Sequence, residues 1–280
     1  MTKITAACVQ MRSGVEIAPN IAAASALIRE AAGQGADFIA TPEMTNLLDI
    51  RPGMARPKIV AEADDASLAA FRLLAAELGV TLLIGSLAVA LEGDERFANR
   101  SFLIGPDGGV IARYDKIHMF DVDLPDGESW KESSIYKPGK AAKVVDTPFG
   151  KVGLSICYDL RFPCLYRSMA QSGARILTVP AAFTAQTGRA HWEPLLRARA
   201  IENGAFVLAA AQGGKHEDGR ETWGHSMIIS PWGEIVAEKA DDEPGIIVAE
   251  IAPEQTDVVR QRIPSLGLEQ RFEINNIKPV

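Results

Sequence analysis

The chain has 280 residues, of which 47% are hydrophobic and 23% are charged. This composition is ordinary for a globular protein and excludes a disordered chain, which has too few apolar residues to form a core. The formal net charge is −7, and no run of five like charges occurs. We therefore expect no nucleic acid partner, since such binders present a basic face.

The first half of the chain alternates strand-like and helix-like patterns. Apolar residues recur at steps of three and four over residues 17–31 and 68–78, which predicts two amphipathic helices. Strands are predicted over the apolar segments 4–10, 37–40, 80–90, 99–104 and 110–114. The last two flank a Gly-Pro-Asp-Gly-Gly turn, so they are expected to form a hairpin.

A polar segment rich in proline and glycine, residues 115–139, separates the two halves, and a loop of that size is usually functional or disordered. Beyond it, strands are predicted over residues 143–146, 151–156, 176–180, 206–211, 225–230, 234–238 and 246–251. Helices are predicted over 160–171 and 192–203, with Pro194 in the first turn of the latter. Because helices and strands stay mixed and no linker intervenes, we predict one α/β domain over residues 1–280.

The cysteines and the N-terminus bear on the compartment. Three cysteines at irregular spacing are not a disulfide framework and indicate a reducing compartment, for which we expect the cytoplasm. Gln10 and Arg12 interrupt the N-terminal apolar stretch, which is too short for a signal peptide. No apolar run approaches the ~18 residues of a membrane span, so no membrane association is expected.

Cys157 is the first candidate for chemistry, because it lies between an apolar strand and a predicted helix. At such a turn the helix N-terminus lowers a thiol pKa, and backbone N–H groups stabilise an oxyanion. The alternative is a small buried hydrophobe, which is a common role of free cysteine. That role is expected for Cys8, while Cys164 lies on the predicted helix without the spacing of a redox pair.

Three charged residues are further candidates. Glu43 stands at the end of a predicted strand and could act as a general base if it is partly buried. Lys116 stands where a hairpin strand leaves the sheet and could place a cation beside developing negative charge. The alternatives are a solvated loop carboxylate for Glu43, a surface lysine paired with Asp115 for Lys116, and a solvent-exposed position for Glu132. The four histidines and three cysteines lack zinc spacing, and no GxGxxG or Walker loop occurs, so neither a metal nor a cofactor is predicted.

Three motifs together carry a resemblance to a known family: Thr41-Pro42-Glu43, Tyr114-Asp115-Lys116-Ile117-His118 and Cys157-Tyr158-Asp159-Leu160-Arg161-Phe162-Pro163. In this order and spacing they resemble the nitrilase, or carbon–nitrogen hydrolase, superfamily, and the likeness extends over nearly the whole chain. The resemblance implies a single-domain, four-layer αββα sandwich and a Glu–Lys–Cys triad. In that triad Glu43 is the general base, Lys116 the oxyanion stabiliser and Cys157 the nucleophile.

The resemblance also implies a fourth position, a mechanism and an assembly. The Glu132 carboxylate would help to position the lysine, the substrate or water. The reaction would be acyl transfer through a thioester, with the Tyr158 backbone N–H beside Lys116 at the oxyanion and no cofactor. Members of the superfamily usually pair, so a homodimer or larger homo-oligomer is expected, with residues 253–280 as a candidate contributor.

Within the superfamily, the chain most resembles the deaminated glutathione amidases and the neighbouring ω-amidases, and the segment 209–216 resembles the former more. We therefore predict hydrolysis of an α-keto acid monoamide, with deaminated glutathione first, α-ketoglutaramate second and an N-carbamoyl compound third. The alternative of another class is a catalytically inactive homologue that binds a partner.

A substrate of this kind is anionic, and its buried carboxylate needs a cation or several hydrogen-bond donors. Arg161 is the first candidate for that role, because it follows Cys157 closely and a guanidinium grips a carboxylate with two hydrogen bonds. The alternative for Arg161 is a structural salt bridge with Asp159 or another acid. Phe183, Thr184 and Thr187 follow a predicted strand and could line the same pocket.

Overall fold

The computed structural model describes residues 3–123 and 129–275. In the N-terminal half, the elements are β1 (Ile4–Gln10), α1 (Ile17–Gly33), β2 (Phe38–Ala40), α2 (Ala66–Leu78), β3 (Thr81–Ala90), β4 (Phe97–Ile104), β5 (Val110–Asp115), β6 (Asp121–Asp123) and β7 (Ser129–Lys131). In the C-terminal half, they are β8 (Lys143–Thr147), β9 (Gly150–Leu154), α3 (Pro163–Gln171), β10 (Ile176–Thr178), α4 (Ala185–Asn203), β11 (Phe206–Ala209), β12 (Gly213–Lys215), β13 (Glu221–Trp223), β14 (Met227–Ile229), β15 (Ile235–Glu238), β16 (Gly245–Ile251) and α5 (Gln255–Arg262).

Twelve of these strands form two six-stranded sheets, in the orders β16-β1-β2-β3-β4-β5 and β15-β14-β11-β10-β9-β8. In the first sheet, β1, β2 and β3 are parallel, and antiparallel pairing continues through β4 to β5. In the second, β9, β10 and β11 are parallel. The predicted hairpins β4–β5 and β8–β9 both occur.

The alternation of side chains along β1 divides the core into layers. Ala6 and Cys8 face the second sheet and belong to the core between the sheets, whereas Ala7 and Val9 face α1 and α2. On the other side, α3 contacts β9 and α4 contacts β11. The expected αββα arrangement is therefore confirmed.

Local sequence explains where the second helix begins and ends. The Asp65 carboxylate accepts a hydrogen bond from the Leu68 N–H at 2.8 Å and caps the N-terminus of α2, which stabilises a helix by about 1 kcal/mol. Phe71 is fully buried beneath this helix, and burying such a side chain contributes about 1.5–3 kcal/mol. The helix ends at Gly79, whose φ of 66° lies in the left-handed region that favours glycine.

Two predicted helix boundaries are wrong. The fourth helix begins at Ala185 rather than at residue 192, because the Thr184 hydroxyl caps it by accepting a hydrogen bond from the Thr187 N–H. Pro194 consequently lies inside the helix, where it removes one backbone hydrogen bond. The helix predicted from residue 160 begins at Pro163, after a short 3₁₀ turn over Cys157–Arg161.

Part of the polar segment 115–139 forms regular structure, and its residues 124–128 lie outside the described residues. It forms the two-stranded ribbon β6–β7 and a 3₁₀ turn over Glu132–Ser134. Among the described residues, no helix is long and apolar enough to cross a membrane.

Candidate active site

The candidate residues follow strands that end at neighbouring edges of the two sheets. Glu43 follows β2 and Lys116 directly follows β5, and these strands run in the same direction. Cys157 follows β9 in the second sheet. Gly85 lies at an irregularity of β3, and a Cβ there would stand 2.2 Å from the Thr41 carbonyl oxygen. Only glycine therefore allows the segment before Glu43 to pack this closely.

Lys116 is a buried cation held between two carboxylates. Its side chain is 2% exposed, and its Nζ lies 2.9 Å from Glu43 Oε1 and 2.9 and 2.8 Å from the two Glu132 oxygens. Burial lowers the pKa of Lys116, but the charges of Glu132 and Glu43 outweigh it and raise the pKa well above its ordinary value. The alternative of a surface lysine paired with Asp115 is wrong, because Asp115 pairs with Arg100 at 2.6 Å.

Glu43 is buried and bonded through both oxygens. Oε1 accepts from Asn99 Nδ2 at 2.9 Å as well as from Lys116, and Oε2 accepts from the Ala182 N–H at 2.9 Å. Burial raises the pKa of Glu43, but the Lys116 charge and the hydrogen bonds lower it below the ordinary value. The alternative of a solvated loop carboxylate is therefore wrong.

Cys157 is a buried thiol hydrogen bonded to Glu43. Burial and the negative charge of Glu43 raise the pKa of Cys157 well above its ordinary value, although Lys116 opposes them. The expectation of a lowered thiol pKa is thus wrong, and the resting cysteine is protonated beside a carboxylate. Its φ of 49° is left-handed, a conformation that costs a non-glycine residue about 1–3 kcal/mol. A hydrogen bond from the Cys157 N–H to the Pro180 carbonyl, at 2.8 Å, helps to hold it.

Glu132 lies beside Lys116, so the alternative of a solvent-exposed position is wrong. Its side chain is 11% exposed, and Oε2 accepts from the Phe120 N–H at 2.6 Å in addition to binding Lys116. Asn99, which sequence reasoning missed, bridges the two carboxylates by donating to Glu43 and, at 3.3 Å, to Glu132. The available signal was an amide within a strand of mostly buried residues, where a buried polar group requires a partner.

A cavity of about 500 Å³ brings all nine predicted site residues together. Its lining includes Glu43, Lys116, Glu132 and Cys157, together with Tyr158, Arg161, Phe183, Thr184 and Thr187. Sequence reasoning missed other lining residues, among them Met44, Trp130, Tyr136 and Arg220. They belong to irregular or short segments outside the matched motifs. Among the residues that the structure describes, no group of three or more His, Cys, Asp or Glu side chains could hold a metal ion.

Arg161 is not engaged by the nearby acid. Its Nη1 lies 3.2 Å from His191 Nδ1, and its guanidinium lies over the rings of Phe183 at 5.3 Å and Tyr158 at 5.8 Å. Asp159 instead accepts hydrogen bonds from the Tyr114 hydroxyl and the His118 backbone. The alternative of an Arg161–Asp159 salt bridge is therefore wrong.

Comparison with known proteins identifies the family of the chain. The family model described as carbon-nitrogen hydrolase matches residues 5–261. The chain is 43% identical over 270 residues to a deaminated glutathione amidase of a Synechocystis species, covering 95% of this chain and 98% of the relative. It is 36% identical over 266 residues to the omega-amidase NIT2 of Homo sapiens, covering 94% of each.

A solved structure shows the same fold. Nit3 of Saccharomyces cerevisiae, described as a member of branch 10 of the nitrilase superfamily, matches with a TM-score of 0.84 and 29% identity, over 94% of each chain. The resemblance inferred from the motifs is thereby confirmed. The chain belongs to the carbon–nitrogen hydrolase family and is a hydrolase.

Proposed function

We propose that Glu43, Lys116 and Cys157 are the catalytic triad of an amidase that hydrolyses an α-keto acid monoamide. The observation that carries this proposal is the buried contact of a thiol, a carboxylate and an ammonium group in the lining of one cavity. A homologue that only binds a partner would have no need of this arrangement, which costs free energy to bury.

The first half of the reaction forms the thioester. Glu43 takes the proton of the Cys157 thiol, and the sulfur attacks the carbonyl carbon of the amide. The carbonyl oxygen becomes an oxyanion, bound by the Lys116 ammonium and the Tyr158 backbone N–H. Glu43 returns its proton to the amide nitrogen, the carbon–nitrogen bond breaks, and the amine leaves.

The second half of the reaction hydrolyses the thioester, with water as the nucleophile in place of the thiol. Glu43 takes a proton from a water molecule, and the hydroxide attacks the thioester carbon. The oxyanion again forms beside Lys116. When the carbon–sulfur bond breaks, Cys157 regains the proton, and the carboxylic acid leaves.

Glu132 acts as a positioning residue in this scheme. Its two oxygens accept from Lys116, and its contact with the Phe120 N–H fixes the carboxylate itself. The ammonium is therefore in place before the oxyanion develops, so no reorganisation is required during the reaction.

The substrate class follows from the wall of the cavity and from the relatives. Arg161 is available to bind the carboxylate beside the α-keto group, and Phe183, Thr184 and Thr187 complete that part of the lining. The similarity to a deaminated glutathione amidase makes deaminated glutathione our first substrate, with 2-oxoglutarate and cysteinylglycine as products. The similarity to omega-amidase NIT2 supports α-ketoglutaramate as the second candidate.

A panel of amides tests this function. Purified protein is assayed at matched concentrations on deaminated glutathione, α-ketoglutaramate, an aliphatic amide and an N-carbamoyl amino acid, with product release as the readout. We expect both α-keto acid amides to be cleaved far faster than the others, and deaminated glutathione to be fastest. If the aliphatic amide is cleaved faster than the α-keto acid amides, the proposed binding of a substrate carboxylate in the cavity is wrong. A tenfold advantage for α-ketoglutaramate over deaminated glutathione would favour the ω-amidase activity.

We also propose a homo-oligomer in the cytoplasm. The three cysteines are free thiols, which supports a reducing compartment. The C-terminal segment after α5 exposes Leu268, Phe272 and Ile274, with 83% of Phe272 accessible. A partner subunit would cover such side chains. The last part of the candidate segment, residues 276–280, lies outside the described residues.

A further inference from the structure

Arg220 is one of four arginines in the cavity lining, and it has no role in the proposed triad or at the first carboxylate. It lies between β12 and β13, and its guanidinium lies over the Trp130 ring, 5.2 Å from the centroid. Its Nη2 lies 3.3 Å from Asp218 Oδ2. In the part of the chain that the structure describes, Arg220 Nε and Trp130 Nε1 are both buried and lack a hydrogen-bond partner.

Two unpaired donors on stacked side chains in a cavity need an explanation. Leaving a buried donor unsatisfied costs about 1–3 kcal/mol, and native proteins contain few such groups. Asp218 does not satisfy Arg220 Nε, because its oxygens accept from Arg220 Nη2, the Arg220 backbone and the Ile50 N–H. Both side chains line the cavity, so an anionic group of a ligand bound there would bring an acceptor to this guanidinium.

The position of this pair relative to Arg161 indicates which part of a substrate reaches it. A chain of ring contacts joins the two arginines: Trp130 to Phe120 at 6.1 Å, Phe120 to Tyr158 at 5.1 Å, and Tyr158 to Arg161 at 5.8 Å. Tyr158 directly follows the candidate nucleophile. The two arginines are thus the ends of one series of contacts that passes beside Cys157.

We propose that Arg220 and Trp130 bind a carboxylate on the amine portion of the substrate, so that the preferred amide carries an anionic group on each side of the scissile bond. This inference rests on the proposed function, in which Arg161 binds the acid portion. The favoured leaving group is a peptide-like amine that ends in a carboxylate. Two residues of extended chain span about 7 Å, a length that a cavity of this size accommodates.

Three substrates test the carboxylate subsite separately from the amidase reaction itself. They are deaminated glutathione, the same compound with a carboxamide in place of its terminal carboxylate, and α-ketoglutaramate, whose leaving group is ammonia. For the wild-type protein we expect the carboxamide to lower kcat/KM by about 10-fold or more, the size typical of a charge-assisted hydrogen bond. Equal values for acid and carboxamide would overturn the subsite while leaving the proposed function intact.

Variants locate the effect. We expect Arg220→Gln to reduce the preference for acid over carboxamide to within about 3-fold, and to lower the ratio of deaminated glutathione to α-ketoglutaramate activity by about 10-fold. Trp130→Phe, which removes the indole N–H and keeps a smaller aromatic ring, should change both ratios in the same direction by a smaller factor. Arg189→Gln is the matched control, since Arg189 lies over Trp223 at 5.6 Å and outside the cavity lining. It should keep both wild-type ratios.

The outcomes are distinguishable. If Arg220→Gln keeps the wild-type preference, or if Arg189→Gln loses it equally, the arginine is structural and the proposal fails. If Arg220→Gln does not fold, the wild-type comparison and Trp130→Phe decide. If the wild-type protein cleaves none of the three compounds, the proposed function fails and the subsite fails with it.

Discussion

The Asp159 carboxylate accepts a hydrogen bond from the Tyr114 hydroxyl at 2.6 Å, deep between the two sheets. The same carboxylate accepts from the backbone N–H groups of His118, at 3.0 Å, and Ile156, at 2.9 Å. Burial and the Asp159 charge raise the pKa of Tyr114, so the hydroxyl stays protonated as a donor. One buried acid therefore joins the segment that carries Lys116 to the segment that carries Cys157.

This relationship predicts that Tyr114→Phe impairs catalysis as well as stability. The variant leaves part of a buried carboxylate unsatisfied, which should lower the free energy of unfolding by about 1–3 kcal/mol. Because the link between the two segments loosens, kcat should fall more than KM rises. Tyr166→Phe is the control, since the Tyr166 hydroxyl is buried against Ser155 and has no such link. An equal loss of kcat in both variants would contradict the prediction, and denaturant unfolding with steady-state kinetics measures it.

Cys157→Ala should abolish turnover and leave the fold intact, because the covalent route requires the sulfur. Cys164→Ala is the matched control, since Cys164 is exposed on α3 and should be dispensable. Mass spectrometry of the protein quenched during turnover should locate the acyl group on Cys157. An acyl group on Cys164 would refute the assignment.

The sequence predicts the layers better than it predicts the site. Apolar runs and glycine-rich turns located most strands, because burial of a strand is visible in its own residues. The contact between Glu43 and Lys116 spans 73 positions, and no local pattern encodes it, so only the resemblance brought the two together. The sequence likewise does not predict the burial of Glu132, because its polar neighbours in the chain predict exposure and its partner, Lys116, lies on another segment.

Glu43→Gln should lower turnover by at least about 10²-fold, the lower end of the contribution of a positioned acid–base group. It should also lower the pKa of the Cys157 thiol. Burial and the Glu43 charge raise that pKa in the wild-type protein and Lys116 lowers it, so removing the carboxylate charge leaves only burial to oppose the lysine effect. Iodoacetamide alkylation measured against pH should therefore extend to lower pH in the variant. An unchanged or higher midpoint would show that Glu43 does not set the charge state of the thiol.

Lys116→Met should also lower turnover by at least about 10²-fold, because the oxyanion loses its cation. The variant leaves the Glu43 and Glu132 carboxylates buried beside each other without the ammonium, and breaking a buried pair in this way costs about 3–5 kcal/mol. The double variant Lys116→Met/Glu132→Gln removes one of the two charges. It should regain much of the stability but none of the turnover, and thermal unfolding beside the amidase assay checks both parts. Recovery of turnover would show that Lys116 acts only by neutralising Glu132.

The C-terminal segment predicts the assembly. Arg167 of α3 donates to the Ser265 carbonyl at 2.9 Å and pairs with Glu269 at 3.3 Å, which anchors the beginning of the segment. Beyond this anchor, Phe272 and Ile274 are 83% and 80% exposed. Burying each of these side chains against a second copy of the chain would stabilise the assembly by about 1.5–3 kcal/mol.

Light scattering at micromolar concentration should therefore give at least twice the mass of one chain, and the Phe272→Ser/Ile274→Ser variant should shift the protein towards smaller species. Leu73→Ser is the control, because Leu73 is 74% exposed on α2, away from the C-terminal segment. It removes a comparable apolar side chain and should leave the mass unchanged. A wild-type mass of one chain would exclude the oligomer. If the double variant keeps the wild-type mass, the interface lies elsewhere. Replacing apolar side chains at an interface with polar ones weakens the association, so an unchanged mass would mean that Phe272 and Ile274 are not part of it.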